Sequence, residues 1–398
     1  MRYGLIIGAS ALVLGTGGDA IAGPDVIVGF IDGGRQFAVL PTGELAITAG
    51  TNSCNAGDKD LNWMALPDAN HPVISLNMYK EKDGQFRQLA ATWVKHGFFA
   101  TNQEDCADVA GVPACVPADA GNALGPGCSD LYGDYLNSDP QFLGPRSRIN
   151  PSTGIFDSSD ATSPSPGSPT ILDDEKIMVV DAVTLSDPGA RYFLEAQYIT
   201  ADDAAAGNAR NNMTYREFAP HDGSPQFVAR YLGPQMRGQP ALAAWQGALL
   251  SERLSSEGGA PVTLIAASKA TPLKEGGFRY DYAVYNMNSD RGLRSFKVEG
   301  TTNVRDASFS AAIARGEPWD KAPWTGTQNA QDFVWATQTF TDNNAANALR
   351  WGNTYSFSFV SNAAPVTGKA VAEKYKPKQG NDTDDETFEV LVPSNAPN

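Results

Sequence analysis

The chain has 398 residues, with 45 Asp and Glu against 30 Lys and Arg, for a net charge of −15. So acidic a surface repels phosphate backbones, which excludes nucleic-acid binding, and repels polyanions unless a basic groove or bound cations intervene. Charged residues make up only 19% of the chain, while 39 Gly and 26 Pro punctuate it, so a turn-rich and strand-rich fold with few long amphipathic helices is expected.

Residues 1–22 read as a secretory signal peptide. Met1-Arg2 supplies a positive start, Gly4 to Leu14 an uncharged apolar run, and Ala20-Ile21-Ala22 a small-x-small cleavage pattern followed by Gly23-Pro24. The run is shorter than the ~20 apolar residues a membrane span needs, and no later segment is long and apolar enough. A secreted, periplasmic or cell-surface location without a transmembrane segment follows. There Cys54, Cys106, Cys115 and Cys128 meet oxidising conditions. Of the three possible pairings, Cys54–Cys106 with Cys115–Cys128 is favoured, because the second closes a Pro-, Gly- and Ala-rich loop with little else to hold it. No C-x-x-C is present, and no cysteine has a close histidine, so zinc ligation by these thiols is not indicated.

Short alternating runs open the mature chain: Asp25 to Ile31, Gln36 to Leu40 and Glu44 to Thr48. Pro72 to Lys80 and Gln85 to Val94 flank Asp83-Gly84, a hairpin signal. For Phe86, Leu89 or Ala90, and Trp93 to share one face, the second run needs a bulge. Residues 158–167 (Ser-Ser-Asp-Ala-Thr-Ser-Pro-Ser-Pro-Gly) read as a low-complexity linker or long surface loop. Ile177 to Val180 and Arg191 to Ile199 resume the strands. Ala241 to Leu254 is the best helix candidate, with Leu242, Trp245, Leu249 and Leu250 at near-helical spacing, a pair of strands around Trp245 being the alternative. Val262 to Ala270, Phe278 to Asn286, Phe333 to Thr337 and Tyr355 to Phe359 alternate as in a sandwich. The fold class expected is all-β. It comprises two antiparallel β-sandwich-like domains, long disulfide-stapled loops and at most one or two short helices. The boundaries expected are 23–170 for an N-terminal β-rich domain, 171–365 for a β-sandwich domain, and 366–398 for a polar tail with a last strand at Phe388 to Val392.

Chemistry concentrates between Cys54 and Cys106, which holds two of the three histidines. His71 and His96 are candidate bases near neutral pH, with Tyr79 and Lys95 as acid partners. Trp63 and Trp93, with Asn77, are candidate sugar-binding residues. If the two runs pair, His71 and Lys95 or His96 meet at one sheet end. The structural alternative makes His71 a turn residue before Pro72 and both tryptophans core. A metal on His71 and His96 needs a third ligand such as Asp60, Asp68 or His221, and neither H-x-H nor H-E-x-x-H occurs. No G-x-S-x-G elbow is present. Asp202, Asp203, Asn208, Asn211 and Asn212 offer oxygen donors suited to calcium. A helix N-cap followed by an Asn-rich turn accounts for them more simply, so no cofactor is assigned. Asn286, Asn288, Ser289, Asp290 and Arg291, with Arg350-Trp351, read as a locked loop or a ligand site.

Three phrases together resemble a family of secreted, β-rich bacterial proteins, found in planctomycetes and other aquatic bacteria, that carries no assigned function. They are Asn62-Trp63 with His71-Pro72-Val73-Ile74 and Trp93-Val94-Lys95-His96-Gly97-Phe98; Asp202 to Asn208 with Asn211-Asn212; and Tyr285 to Arg291 with Ala348-Leu349-Arg350-Trp351-Gly352. The resemblance supplies no catalytic residues. Three functions stay open: a structural or interaction protein of the cell surface; a polysaccharide lyase or hydrolase using the 54–106 segment; and a carbohydrate-binding protein using Trp63 and Trp93. Polysaccharide or cell-surface components are the corresponding partners.

Overall fold

The computed structural model describes residues 22–119, 121–220, 226–312 and 315–394. The fold is all-β, and the helices among the described residues are short: Asp134–Asn137, Ala182–Leu185 and Ala201–Ala206. Nearly all of the expected signal peptide lies outside the described residues, as does His221.

Four principal antiparallel sheets carry the fold. In the first, Val26–Val39, Leu45–Asn55 and Met178–Val180 lie side by side, with Ser129–Tyr132 also paired to the middle strand. The two expected runs at the start merge into one strand, bent by register shifts at Val28/Phe30, Asp32/Arg35 and Gln36/Ala38. The second sheet runs Ala229–Arg237, Met213–Pro220, Arg191–Ile199, Val73–Lys82, Val94–His96 and Leu143–Gly144, with Gln85–Ala91 also on Val73–Lys82. The expected hairpin forms there. Asp83 and Gly84 take φ of 51° and 79°, the paired left-handed conformation of a two-residue turn. A bulge does occur in the second run, at Leu89 opposite Met78/Tyr79, but Phe86 and Ala90 pack on opposite sides of the sheet, so the shared face does not form. The third sheet orders Leu249–Glu257, Ala260–Pro272, Phe278–Asn286, Asn353–Ser361 and Arg305–Ala311. The fourth orders Thr325–Gln328, Phe333–Ala336, Leu293–Val298, Pro365–Lys374 and Asp385–Pro393.

Side-chain alternation stacks these sheets. Ile74, Leu76 and Met78, with Leu194, Ala196 and Tyr198, pack on Val26, Val28, Ile31 and Ile47 of the first sheet. Tyr280, Tyr282 and Val284 face Phe296, Trp335, Phe388 and Val390 across the second sandwich. Between the sandwiches, Tyr79, Phe193 and Tyr215 meet Ile265, Ala283 and Tyr285, with Leu242 and Trp245 filling the same layer.

Several expectations are revised. A boundary at residue 170 cuts through a sheet, because Arg191–Ile199 pairs with Val73–Lys82 from Arg191↔Glu81 to Ile199↔Val73. The sandwiches divide instead between Arg237 and Leu249. The 241–254 helix is absent. Ala241–Ala244 makes one 3-10 turn, Gly247 turns left-handed at φ +70°, and Leu249–Glu257 pairs with Ala260–Pro272. Here β-ladder pairing and the burial of Trp245 override the local helical spacing. The polar 366–398 segment is no tail, since Pro365–Lys374 and Asp385–Pro393 pair with each other and complete the fourth sheet. Nor does the Ser/Pro segment link domains: Ser147 and Ser165 share a hydroxyl bond of 2.8 Å, and Arg148 reaches the Pro164 carbonyl at 3.0 Å.

The favoured disulfides both form, Cys54–Cys106 and Cys115–Cys128, closing 52- and 13-residue separations. Loop-closure entropy then assigns about 4 kcal/mol to the first and about 3 kcal/mol to the second. In urea titrations we expect Cys54→Ser/Cys106→Ser to lose more stability than Cys115→Ser/Cys128→Ser. The reverse order would show that the shorter bridge carries native structure beyond its entropy.

Candidate functional site

Sheet pairing brings the two histidines together. Val73 lies opposite His96 and Ile74 opposite Lys95, and Gly97 N–H donates to the Pro72 carbonyl. His71, just before the first strand, thereby reaches His96 at the end of the other. His71 Nε2 and His96 Nδ1 are 2.9 Å apart, so one ring donates and the other accepts. The Phe156 ring centroid lies 5.0 Å from each imidazole. Val73, Val94, Ile149, Ala161, Ile199 and Trp351 pack in the same cluster as Phe156. The exposures are 2% for His71 and 0% for His96.

Burial decides their charge. It lowers His71 to about 4, with Lys95 adding to the shift and the Asp68 carbonyl opposing it. It lowers His96 to about 3, helped by His71 and Lys95 and opposed by the Ala161 carbonyl. Both rings are neutral near pH 7. Lys95 follows the strand alternation away from His96. Its Nζ lies 3.4 Å from the Tyr132 ring centroid, 4.3 Å from Phe98 and 5.7 Å from Phe142. No hydrogen-bond acceptor reaches it. Burial holds this amine well below the usual lysine range, with Asp130 and Asp139 opposing.

Trp63 and Trp93 are 0% and 1% exposed. Trp63 Nε1 donates to Tyr132 Oη at 3.1 Å, and Trp93 Nε1 to the Arg315 carbonyl at 2.6 Å. A sugar platform needs an open ring face, and neither indole has one. Tyr79 and Asn77 do not join the histidines. They belong to a second polar cluster between the sandwiches.

That cluster arises from alternation on two neighbouring strands. Ser75, Asn77 and Tyr79 share one face of Val73–Lys82, and Phe193, Glu195 and Gln197 share the matching face of Arg191–Ile199, with Asn77 opposite Glu195. Glu195 Oε1 accepts from Asn77 Nδ2 and Tyr79 Oη, both at 2.9 Å, and Oε2 accepts from Ala241 N–H at 2.7 Å. Burial pushes the Glu195 carboxyl up, and these donors with Arg146 pull it back. Arg146 is 0% exposed. Its Nε donates to the Thr92 carbonyl at 2.7 Å, Nη1 to Gly352 at 2.9 Å, and Nη2 to Leu76 and to Asn77 Oδ1, both at 3.0 Å. Glu317 accepts the Arg146 and Ser147 N–H groups, and burial lifts its carboxyl to about 7. From the second sandwich, Thr354 N–H donates to Gln88 Oε1 at 2.7 Å, and Tyr285 Oη to Gln197 Oε1 at 3.2 Å. Gly352 has φ +68°, and a Cβ there would stand 2.7 Å from Arg146 Nη1.

Sequence reasoning missed Arg146, Glu195 and Glu317. The available signal for Glu195 was a carboxylate amid Tyr, Phe, Leu and Ala in a strand. The third constellation is a locked loop. Asn286 binds the Ser289 and Leu349 carbonyls, Arg291 pairs with Asp384, and Lys376 pairs with Asp290. Among the described residues, two shallow recesses stand out, and both lie away from the histidines. One is lined by Arg87, Trp245, Asp281 and Ser356, the other lies beside Asp203 and Asn212, and neither has room for more than about one water molecule. Among the described residues, no three His, Cys, Asp or Glu side chains gather as a metal-binding group. No protein-family model and no curated protein matches the chain.

Two outcomes follow from these geometries. The histidines titrate near 6.5 when unfolded and at about 4 and 3 when folded. Their contribution is therefore complete above pH 6.5 and falls as the pH is lowered toward those folded values, the unfolded chain binding the extra protons. A His71→Leu/His96→Leu variant should show a flatter stability profile in that window by urea unfolding, and an unchanged slope would refute the assignment. Replacing Arg146 with Met removes four donated bonds, leaves the Thr92 carbonyl without its donor and takes the positive charge away from the buried Glu195 carboxyl, a loss of about 3–5 kcal/mol. Arg146→Lys should recover little of it, because an ammonium cannot span the same acceptors. A loss under 1 kcal/mol for Arg146→Met would contradict this view of the network.

Proposed function

We propose that the chain is an exported structural or interaction protein of the secreted β-rich family it resembles. In this proposal its buried polar groups hold sheets together rather than turn over a substrate. The observation that carries the proposal is enclosure. His71, His96, Lys95 and Tyr79 are each at most 2% exposed, and the two recesses are lined by other residues. A general base must come within hydrogen-bond reach of a substrate proton. Each histidine here uses a ring nitrogen on the other, and Phe156 packs against both.

Export is supported by the two disulfides, which belong to oxidising compartments. No helix among the described residues is long and apolar enough to cross a membrane. The partner class favoured is a neutral or basic cell-surface component, since a net charge of −15 disfavours polyanions.

The deciding experiment incubates the mature, oxidised protein with a panel of neutral and acidic polysaccharides and measures reducing ends and unsaturated products. We expect neither, and expect the protein to co-sediment with envelope material from its own cells. Product formation that His96→Ala abolishes, with folding intact, would replace this proposal with the enzyme.

A further inference from the structure

The first strand begins against the turn that follows Arg191–Ile199. Thr200 caps the helix Ala201–Ala206, its hydroxyl accepting from Asp203 N–H at 3.2 Å, and Gly207 closes the helix at φ +81°. A capped helix is therefore present, stopped by Gly207 as expected, but Thr200 supplies the cap rather than the Asp expected from the sequence. Asp202 serves this turn and the neighbouring chain, accepting from Thr200 Oγ1 at 2.6 Å and Asn62 N–H at 2.8 Å. Asn208 binds the Ala22 and Pro24 carbonyls. Asp203 instead turns inward and meets Asp25, which sequence reasoning did not connect with it.

Asp25 and Asp203 are both 0% exposed, and they are neighbours through Val26, which follows Asp25 in the chain and bonds to the Asp203 carboxyl. Among the described residues, neither forms an ion pair with Lys, Arg or His. Two amides attend them. Asn211 Nδ2 donates to Asp25 Oδ2 at 3.0 Å, and Asn212 Nδ2 donates to Asp203 Oδ2 at 2.7 Å. Val26 N–H donates to Asp203 Oδ1 at 3.1 Å. Three buried oxygens remain without a partner: Asp25 Oδ1, Asn211 Oδ1 and Asn212 Oδ1. Asn212 is 1% exposed and borders a narrow recess with Asp203, Thr200 and Tyr198.

Buried carboxylates are ordinarily paired with cations or bound to metals. An asparagine amide presents either Nδ2 or Oδ1 to one point by a half-turn. For Asn211 and Asn212 that half-turn gives up no acceptor contact, because their Oδ1 atoms have none. It converts two carboxylates and two amide donors into a set of oxygen ligands carrying two negative charges. Hard oxygens of this kind suit calcium, which accepts irregular geometry; magnesium demands a stricter octahedron, and softer metals prefer nitrogen and sulfur.

We propose that Asp25 and Asp203, with the Asn211 and Asn212 amides, bind one calcium-type divalent cation that clamps the start of the first strand to the Thr200–Asn212 turn. The two carboxylates neutralise the ion. The turn brings Asp203, Asn211 and Asn212 to it from one side, and Asp25 brings the strand from the other.

The test uses the mature, disulfide-bonded chain after chelator treatment. Calorimetric titration with CaCl₂ should give one site, with a dissociation constant of about 10⁻⁴–10⁻³ M, the range of extracellular modules. Calcium should raise the melting temperature, and magnesium at equal concentration should not. Terbium should bind with luminescence sensitised by Tyr198, and calcium should displace it. Asp25→Asn and Asp203→Asn should each weaken binding at least tenfold, while Asp385→Asn, at the exposed start of the strand Asp385–Pro393, should leave it unchanged. If either variant fails to fold, terbium displacement on the unmodified protein carries the test. Absence of heat and melting shift at millimolar calcium would overturn the proposal. So would unaltered binding in both variants, or an Asp203→Asn protein that melts higher than the parent in calcium, the mark of two acids sharing a proton.

Discussion

A guanidinium with no access to water must find its partners inside the protein, and the arrangement of the sandwiches depends on that requirement at Arg146. Four of its donated bonds end on Thr92, Leu76, Asn77 and Gly352. Three of these acceptors belong to the first sandwich and one to the second. Apolar faces alone would tolerate sliding, since hydrophobic burial has no direction. A fork-shaped donor with fixed acceptors does not. Gly352 is part of the same constraint, because its carbonyl accepts from both Arg146 and Asn77, and its left-handed backbone leaves no room for a side chain.

The buried polar groups thus divide by location. Those between the sandwiches, Glu195, Asn77, Gln88 and Gln197, are bonded across the seam or to its immediate supports, and they set its register. Those within the first sandwich, His71, His96 and Lys95, are held by aromatic rings and by each other. The same burial that brings the imidazoles together makes them neutral and closes them off. Proximity and perturbed basicity, which often mark an active site, arise here from packing.

Much of the architecture was legible in the sequence, and the parts that were not share one cause. The Asp83-Gly84 hairpin, the alternating strands and the disulfide-stapled loops are local, and local pattern revealed them. The meeting of the histidines was legible conditionally, because it follows from pairing two adjacent runs. Strand partners far apart in the chain were not. Pairing of 73–82 with 191–199 moved the boundary between sandwiches, and the meeting of Asp25 with Asp203 spans a similar separation. Arg146 and Glu195 were hidden for the same reason. A charged residue shows its sequence neighbours, whereas its role depends on which strand faces it. Trp245 misled in the opposite way, since its neighbours are spaced as on a helix while its burial depends on the seam.

The order in which the chain leaves the ribosome gives the polar seam a further meaning. The strands of the first sandwich are all available once Arg237 has emerged, whereas Gly352 and the strand Asn353–Ser361 come more than a hundred residues later. In that interval the second sheet exposes the face that will become the seam. An apolar sheet face left open for so long would recruit other nascent chains. Ser75, Asn77, Glu195 and Gln197 are at ease in water and interrupt the apolar Tyr79, Phe193 and Tyr215 of that face, so the half-made protein has less reason to aggregate while it waits. The residues that fix the finished joint also make the unfinished one safe to carry.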